Sequence, residues 1–245
     1  MRFTAPAIVV SSRPHGEVGA VVRLMTADHG LQAAYVRGAR GRRMRPVLMP
    51  GNVVEASLSA RTEGQLAQAV VELVHSRAPL LAEALPAAAI DWACALTATA
   101  LPEGQPYARL YDALEGLLGA IEAAPTASKW GAALVRFELL LLAELGFGLQ
   151  LDCCTVSGDD HDLVAVSPRS GRAVGAEAAA PYPGKLLPLP AFVREGGQAG
   201  WPDILDGLAL SGHFLMRDLI TDRAAPVAAS RERLIKRLRR AAGLA

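Results

Sequence analysis

Up to about residue 75 the chain carries short apolar runs of strand type, broken at intervals by turn residues. The runs are Ala7–Ser11, Ala20–Met25, Leu31–Arg37, Val53–Ser59 and Ala67–Val74. Turn signals separate them at Pro14 to Gly16, Asp28 to Gly30, Gly38 to Arg45 and Pro50–Gly51–Asn52. Five short strands at this spacing predict a small closed barrel of the OB type.

Beyond Arg77 the period becomes helical and Ala and Leu dominate. Thr126 stands at an N-cap position, and Trp130, Leu134, Phe137, Leu141 and Leu145 follow at steps of three and four before Gly146, which predicts a helix with one buried face. Trp201, Leu205, Leu208, Gly212, Leu215 and Leu219 repeat the pattern, with Pro202 suited to the first turn. Residues 151–190 lose the helical period and are rich in Gly, Pro, Asp and Ser, so turns or short strands are expected there. The predicted class is α+β: an OB-type barrel in residues 1–77, then a helical domain in 78–245 with an irregular insertion at about 151–190.

Composition narrows the picture in three ways. Hydrophobic residues make up 51% and aromatics only 5%, so the core is expected to be built mainly from Ala, Leu and Val. The net charge of +1 means that attraction to nucleic acid must come from local clusters. Cys94, Cys153 and Cys154 are odd in number, and adjacent cysteines seldom bridge, which favours a reduced, cytoplasmic setting. The start MRFTAPAIVV lacks a signal-peptide core, and the greasiest stretch, LVRFELLLLAELGFGL, is broken by Arg136, Glu138 and Glu144. A soluble protein without a membrane partner is expected.

Two clusters of basic residues stand out. VRGARGRRMR places Arg37, Arg40, Arg42, Arg43 and Arg45 in one turn-rich connection without an acidic residue. It reads either as a solvated loop or as a phosphate-binding one, since strands two and three of an OB barrel and their loops form the usual nucleic-acid face. SRERLIKRLRR is the second: Leu234, Ile235 and Leu238 share one helical side, Arg231, Arg233, Lys236, Arg237, Arg239 and Arg240 cover the rest, and Pro226 with Ser230 suggests the helix start. Arg237 and Arg240 are candidate DNA contacts from this tail, against the alternative of a solvated basic face.

Phe3 and Tyr35 are the only Phe, Trp or Tyr side chains of the barrel, so binding is expected to be led by phosphate contacts, with Tyr35 a packing residue. Asp159, Asp160, His161 and Asp162 form the densest group of catalytic residue types, but successive turn residues diverge, and the group reads as a polar loop. Walker, nucleophile-elbow and HExxH motifs are lacking, so no catalytic site and no cofactor are expected.

GEVGAVVRLMTADHGLQAAYVRGAR and LVRFELLLLAELGFGLQLDCCTVSGDDHDLVAVSPRSGRAV resemble the RecO family of recombination mediators, and the resemblance extends over nearly the whole chain. It implies an OB barrel followed by a helical domain holding a zinc-ribbon-like insertion. It also implies binding of single- and double-stranded DNA, annealing of complementary strands, and action with RecR to load RecA onto DNA coated by single-stranded-DNA-binding protein, whose acidic tail would dock on the helical domain. Metal-bearing members carry C-x-x-C and a second cysteine pair; the matching positions here hold Cys154, Ser157, Gly175 and Ala178. A degenerate ribbon held by packing, without metal, is therefore expected, with Cys153 and Cys154 as inert turn residues. The competing readings are an interaction adaptor that does not use DNA and a metal-dependent hydrolase built on Asp159 to Asp162.

Overall fold

The structure, a computed structural model, describes residues 2–62, 64–124, 126–220 and 225–244. Five strands, β1 (Arg2–His15), β2 (Gly19–Thr26), β3 (Gly30–Val36), β4 (Val53–Ser59) and β5 (Ala67–His75), close into a barrel in the order β1-β2-β3-β5-β4. The seam between β3 and β5 is parallel, with Ala34 opposite Ala67 and Tyr35 opposite Gln68; the other neighbours are antiparallel. Alternation sends Val22, Leu24, Ala34, Val36, Val54, Ala56, Leu58, Ala69 and Val71 into one core. This is the OB-type barrel that the strand spacing predicts.

The first strand is longer than the predicted Ala7–Ser11. Its first half pairs with β4, from Arg2 opposite Ser59 to Ile8 opposite Val53, and its second half pairs with β2 out to His15 opposite Gly19. A bulge between Val9 and Ser11 lets one strand serve both neighbours. Pro14 thus lies in the strand, opposite Ala20, and not in the turn expected from it. At the end of a hairpin a proline forfeits at most one ladder bond.

Seven helices follow: α1 (Ala84–Ala100), α2 (Ala108–Ala123), α3 (Ala127–Glu144), α4 (Ala176–Ala179), α5 (Ala191–Glu195), α6 (Trp201–Phe214) and α7 (Ala225–Ala241). The chain forms two compact units, residues 1–122 with 229–234 and residues 123–228 with 235–245. In the first, Ile90, Trp92 and Leu96 of α1 and Leu110, Leu114 and Leu118 of α2 are buried. Within α7, Arg231 lies over the Trp92 ring at 5.7 Å, and Ser230 Oγ donates to Asp91 Oδ2 at 2.7 Å. Ser230 is therefore an interior anchor of a helix that begins at Ala225, not the helix start.

In the second unit the insertion forms a three-stranded sheet of β6 (Leu163–Val166), β7 (Ala173–Gly175) and β8 (Leu187–Pro188), in the order β7-β6-β8. Helix α3 begins after Thr126, whose hydroxyl makes no capping bond. It ends in a Schellman motif: Gly146 N–H donates to Ala143 O at 3.1 Å and Phe147 N–H to Leu142 O at 2.8 Å, with Gly146 at φ +88°. Trp130, Leu134, Phe137 and Leu141 are buried as predicted. Glu138 is buried with them and accepts a hydrogen bond from Ser211 Oγ of α6, so an acid read as breaking the apolar stretch is part of the core. On α6 the buried face is shifted: Ile204, Leu208, Ser211 and Phe214 are buried, whereas Trp201 and Leu205 are half-buried. The α-helical period ends at Phe214, and Leu215–Leu219 continue as a π turn.

A polar knot holds the barrel's loops. Asn52, buried just before β4, donates through Nδ2 to Pro46 O at 2.8 Å and Val47 O at 3.1 Å, and accepts from Arg77 N–H at 2.8 Å. The buried Arg77 side chain donates to Gly51 O at 2.8 Å, Glu115 Oε1 at 2.9 Å and Glu122 Oε2 at 3.2 Å. Each of these donors and acceptors would otherwise be desolvated without a partner.

Phe137→Ala should cost about 3–5 kcal/mol, because the side chain is 2% exposed and truncation leaves a cavity; a loss below about 1 kcal/mol in denaturant titration would contradict the packing. Asn52→Ala should cost about 2–4 kcal/mol, since two carbonyls and one amide lose their partner. Hydrogen exchange should also quicken between residues 38 and 48, and unchanged exchange there would mean that Asn52 does not hold the loop.

Candidate nucleic-acid interface

The connection between β3 and β4 is folded. Gly41 N–H donates to Gly38 O at 2.9 Å, Met44 N–H to Gly41 O at 3.1 Å and Val47 N–H to Met44 O at 3.0 Å, which winds the segment into successive turns. Ala39 and Leu48 are buried in the barrel core, and Met44 and Val47 pack against it. With the apolar members turned inward, Arg37, Arg40, Arg42, Arg43 and Arg45 are all exposed. The structure thus gathers the five predicted arginines on one ordered segment.

The β1–β2 turn lies against this segment. Arg40 N–H donates to Val18 O at 3.3 Å and its Nη1 to Glu17 O at 3.0 Å, so backbone carbonyls fix one guanidinium without neutralising it. Arg13 and His15 are exposed on the same hairpin. Sequence reading passed over Arg13 because it stands alone; the only signal for it is its register opposite Val21. Asn52 and Arg77 were missed as well, since nothing local marks a buried polar residue.

The tail contributes less outward charge than its composition suggests. Arg240 is exposed and Arg237 half-buried, whereas Arg231, expected on the outer side, is buried against Trp92, and Arg233 lies 3.7 Å from Asp91. Leu234 and Leu238 are buried and Ile235 half-buried, in keeping with the predicted apolar side.

The insertion holds the matched metal-ligand positions in register. Cys154 is buried, and its Sγ accepts from Gly175 N–H at 3.2 Å and Val156 N–H at 3.4 Å. Hydrogen bonds from Ser157, then from the Gly175 and Val156 amides, pull this thiol down to about 6, whereas burial, helped by Asp91, pushes Cys94 up to about 12. Gly175 and Ala178 have no donor side chain, and among the described residues no group of three or more His, Cys, Asp or Glu is placed to hold a metal ion. These positions do not fit a four-ligand zinc site. Asp159, His161 and Asp162 line a cleft beside Cys154, while Asp160 accepts from Arg194 through its backbone oxygen. Among the described residues no helix is long and apolar enough to cross a membrane.

The arginine-bearing barrel and the helical unit with its three-stranded insertion can be set against known families. Residues 1–77 match the family model described as recombination protein O N terminal, and residues 85–220 match recombination protein O C terminal. Curated relatives share the whole length. The DNA repair protein RecO of Rhodospirillum rubrum is 48% identical over 240 residues, covering 95% of this chain and 94% of that protein. Those of Rhodospirillum centenum and Phenylobacterium zucineum are 44% and 42% identical, covering 98% and 100% of this chain and 96% and 100% of theirs. Similarity of this extent in both halves means that the chain belongs to the RecO family of DNA repair proteins.

Proposed function

We propose that the chain is a non-enzymatic, cytoplasmic recombination mediator that binds single- and double-stranded DNA, anneals complementary strands and, with RecR, helps load RecA onto DNA coated by single-stranded-DNA-binding protein. Residues 1–77 would be the nucleic-acid-binding domain, with Arg37, Arg40, Arg42, Arg43 and Arg45 as its phosphate contacts. Residues 78–245 would be the helical domain that docks the acidic tail, and Arg237 and Arg240 would give it a second basic contact. The reading needs no cofactor and no catalytic residue.

The observation that carries it is the ordered segment that turns five arginines outward beside the β1–β2 turn. Guanidiniums on a segment anchored by Ala39 and Leu48 lose little further freedom on binding, so each can neutralise a phosphate with release of counterions. Neutralising charge on two strands at once lowers the repulsion that slows annealing. A barrel that only docks protein would draw on the exposed Val70 and Val74 of β5 instead, and would not show salt-dependent DNA affinity.

Replacing Arg40, Arg42 and Arg43 together by Ala should weaken binding to unrelated DNA sequences by a similar factor. It should also flatten the slope of log affinity against log salt by about two to three units. Stability should fall by no more than about 1 kcal/mol, from the lost Arg40 bond to Glu17 O. An unchanged slope would leave the segment a solvated surface and move the search to α7. For the insertion, a chelator should leave the melting temperature unchanged, and elemental analysis should find no stoichiometric zinc; a ratio near one zinc per chain would require ligands other than those at the matched positions.

A further inference from the structure

Four neighbouring strands place Arg13, Val21, Tyr35 and Gln68 side by side, because Arg13 pairs with Val21, Val21 with Tyr35 and Tyr35 with Gln68. Their strand neighbours Ala20, Val22, Ala34, Val36, Ala67 and Ala69 are buried in the barrel, so this row lies on the outer face. Tyr35 is half-buried, and its ring leans over the β2 backbone at Gly19. A Cβ at Gly19 would fall 2.2–2.3 Å from Tyr35 Oη, Cε2 and Cζ, so only glycine lets the ring lie there. His15 meets the ring edge-on, with centroids 6.0 Å apart and planes at 78°.

Charge brackets this aromatic on two sides. Arg13 lies two strands away in the same row, and Arg37, two residues beyond Tyr35, begins the arginine segment. Toward the other end of β2 the face is closed, because Arg23 donates to Ala98 O and to Glu103 Oε1. The open part of the face is thus one aromatic ring, a strip of small or apolar residues and two exposed guanidiniums.

We propose that Tyr35 is a base-stacking platform for single-stranded nucleic acid, held in place by Gly19 and His15, with Arg13 and Arg37 receiving the flanking phosphates. The proposal deepens the DNA-binding reading above and rests on it. An unpaired base can lay its π face on the ring, while the bases of a duplex are already stacked on one another. The platform therefore gives the barrel a preference for single strands that the arginine segment, reading phosphates alone, cannot supply. Tyr35 both packs and stacks, since the packing over Gly19 presets the ring.

The test uses the full chain with two probes, an oligothymidylate single strand and a hairpin duplex. Tyr35→Leu keeps an apolar side chain over Gly19 but has no π face, and Tyr35→Phe keeps the ring. The Leu variant should lose about 5- to 150-fold in single-strand affinity with an unchanged salt slope, and change duplex affinity by less than about twofold; the Phe variant should stay close to wild type. A single strand carrying 2-aminopurine should be quenched by wild type and by the Phe variant but not by the Leu variant. Equal losses on both probes, or no loss on the single strand while the triple arginine variant weakens both, would overturn the platform and leave the arginine reading standing. Absence of salt-dependent binding by wild type would overturn both.

Discussion

The presentation of the arginine segment depends on the buried contact between Asn52 and Arg77. Asn52 holds the end of the segment through the carbonyls of Pro46 and Val47, while Arg77, at the exit of β5, ties Asn52 and Gly51 to Glu115 and Glu122 of α2. A buried guanidinium is tolerable only when its donors find acceptors, and here backbone and carboxylate oxygens supply them. One set of hydrogen bonds thus satisfies the ends of two strands, a loop and a helix. The arginines at the far side of the loop repel one another, and an anchor at its base opposes that repulsion.

The barrel shows how a nearly neutral protein can present a basic surface. With a net charge of +1, attraction cannot be a property of the whole molecule. The strand period decides which side chains leave the core, and the turns of the arginine segment do the same between strands, with Ala39 and Leu48 inward and the guanidiniums outward. The same sorting puts Arg13, Val21 and Tyr35 in one row. The helical tail works in the opposite sense, since Arg231 is drawn onto Trp92 and one basic residue is spent on packing.

The second unit keeps the architecture of its insertion with a different chemistry at the matched positions. Cys154 meets Gly175 through a backbone N–H, and the three-stranded sheet supplies the apolar contacts of Leu163, Val166 and Ala173. Buried apolar area and strand pairing hold this small sheet among the described residues. The neighbouring buried Glu138 and Ser211 pair fixes α3 to α6 with one specific polar contact in an otherwise apolar interface.

Read alone, the sequence determined the features whose cause is local. Strand alternation, the helical repeat of Trp130 through Leu141, the glycine stop at Gly146 and the density of arginines from Arg37 to Arg45 follow from periods of two and 3.6 and from turn chemistry, all of which act over a few residues. The match of both halves to the RecO family was legible for the same reason, since motifs are local strings. What only the tertiary structure decided are features set by partners far apart in sequence. The extension of β1 through Pro14 needs β4 and β2 as neighbours, the burial of Asn52 and Arg77 needs α2, and the shift of the α6 face needs Glu138 opposite Ser211. The resting place of Tyr35 over Gly19 needs the β2–β3 register. The energy of such contacts comes from desolvation and pairing between distant groups, so a single residue and its neighbours carry no trace of it.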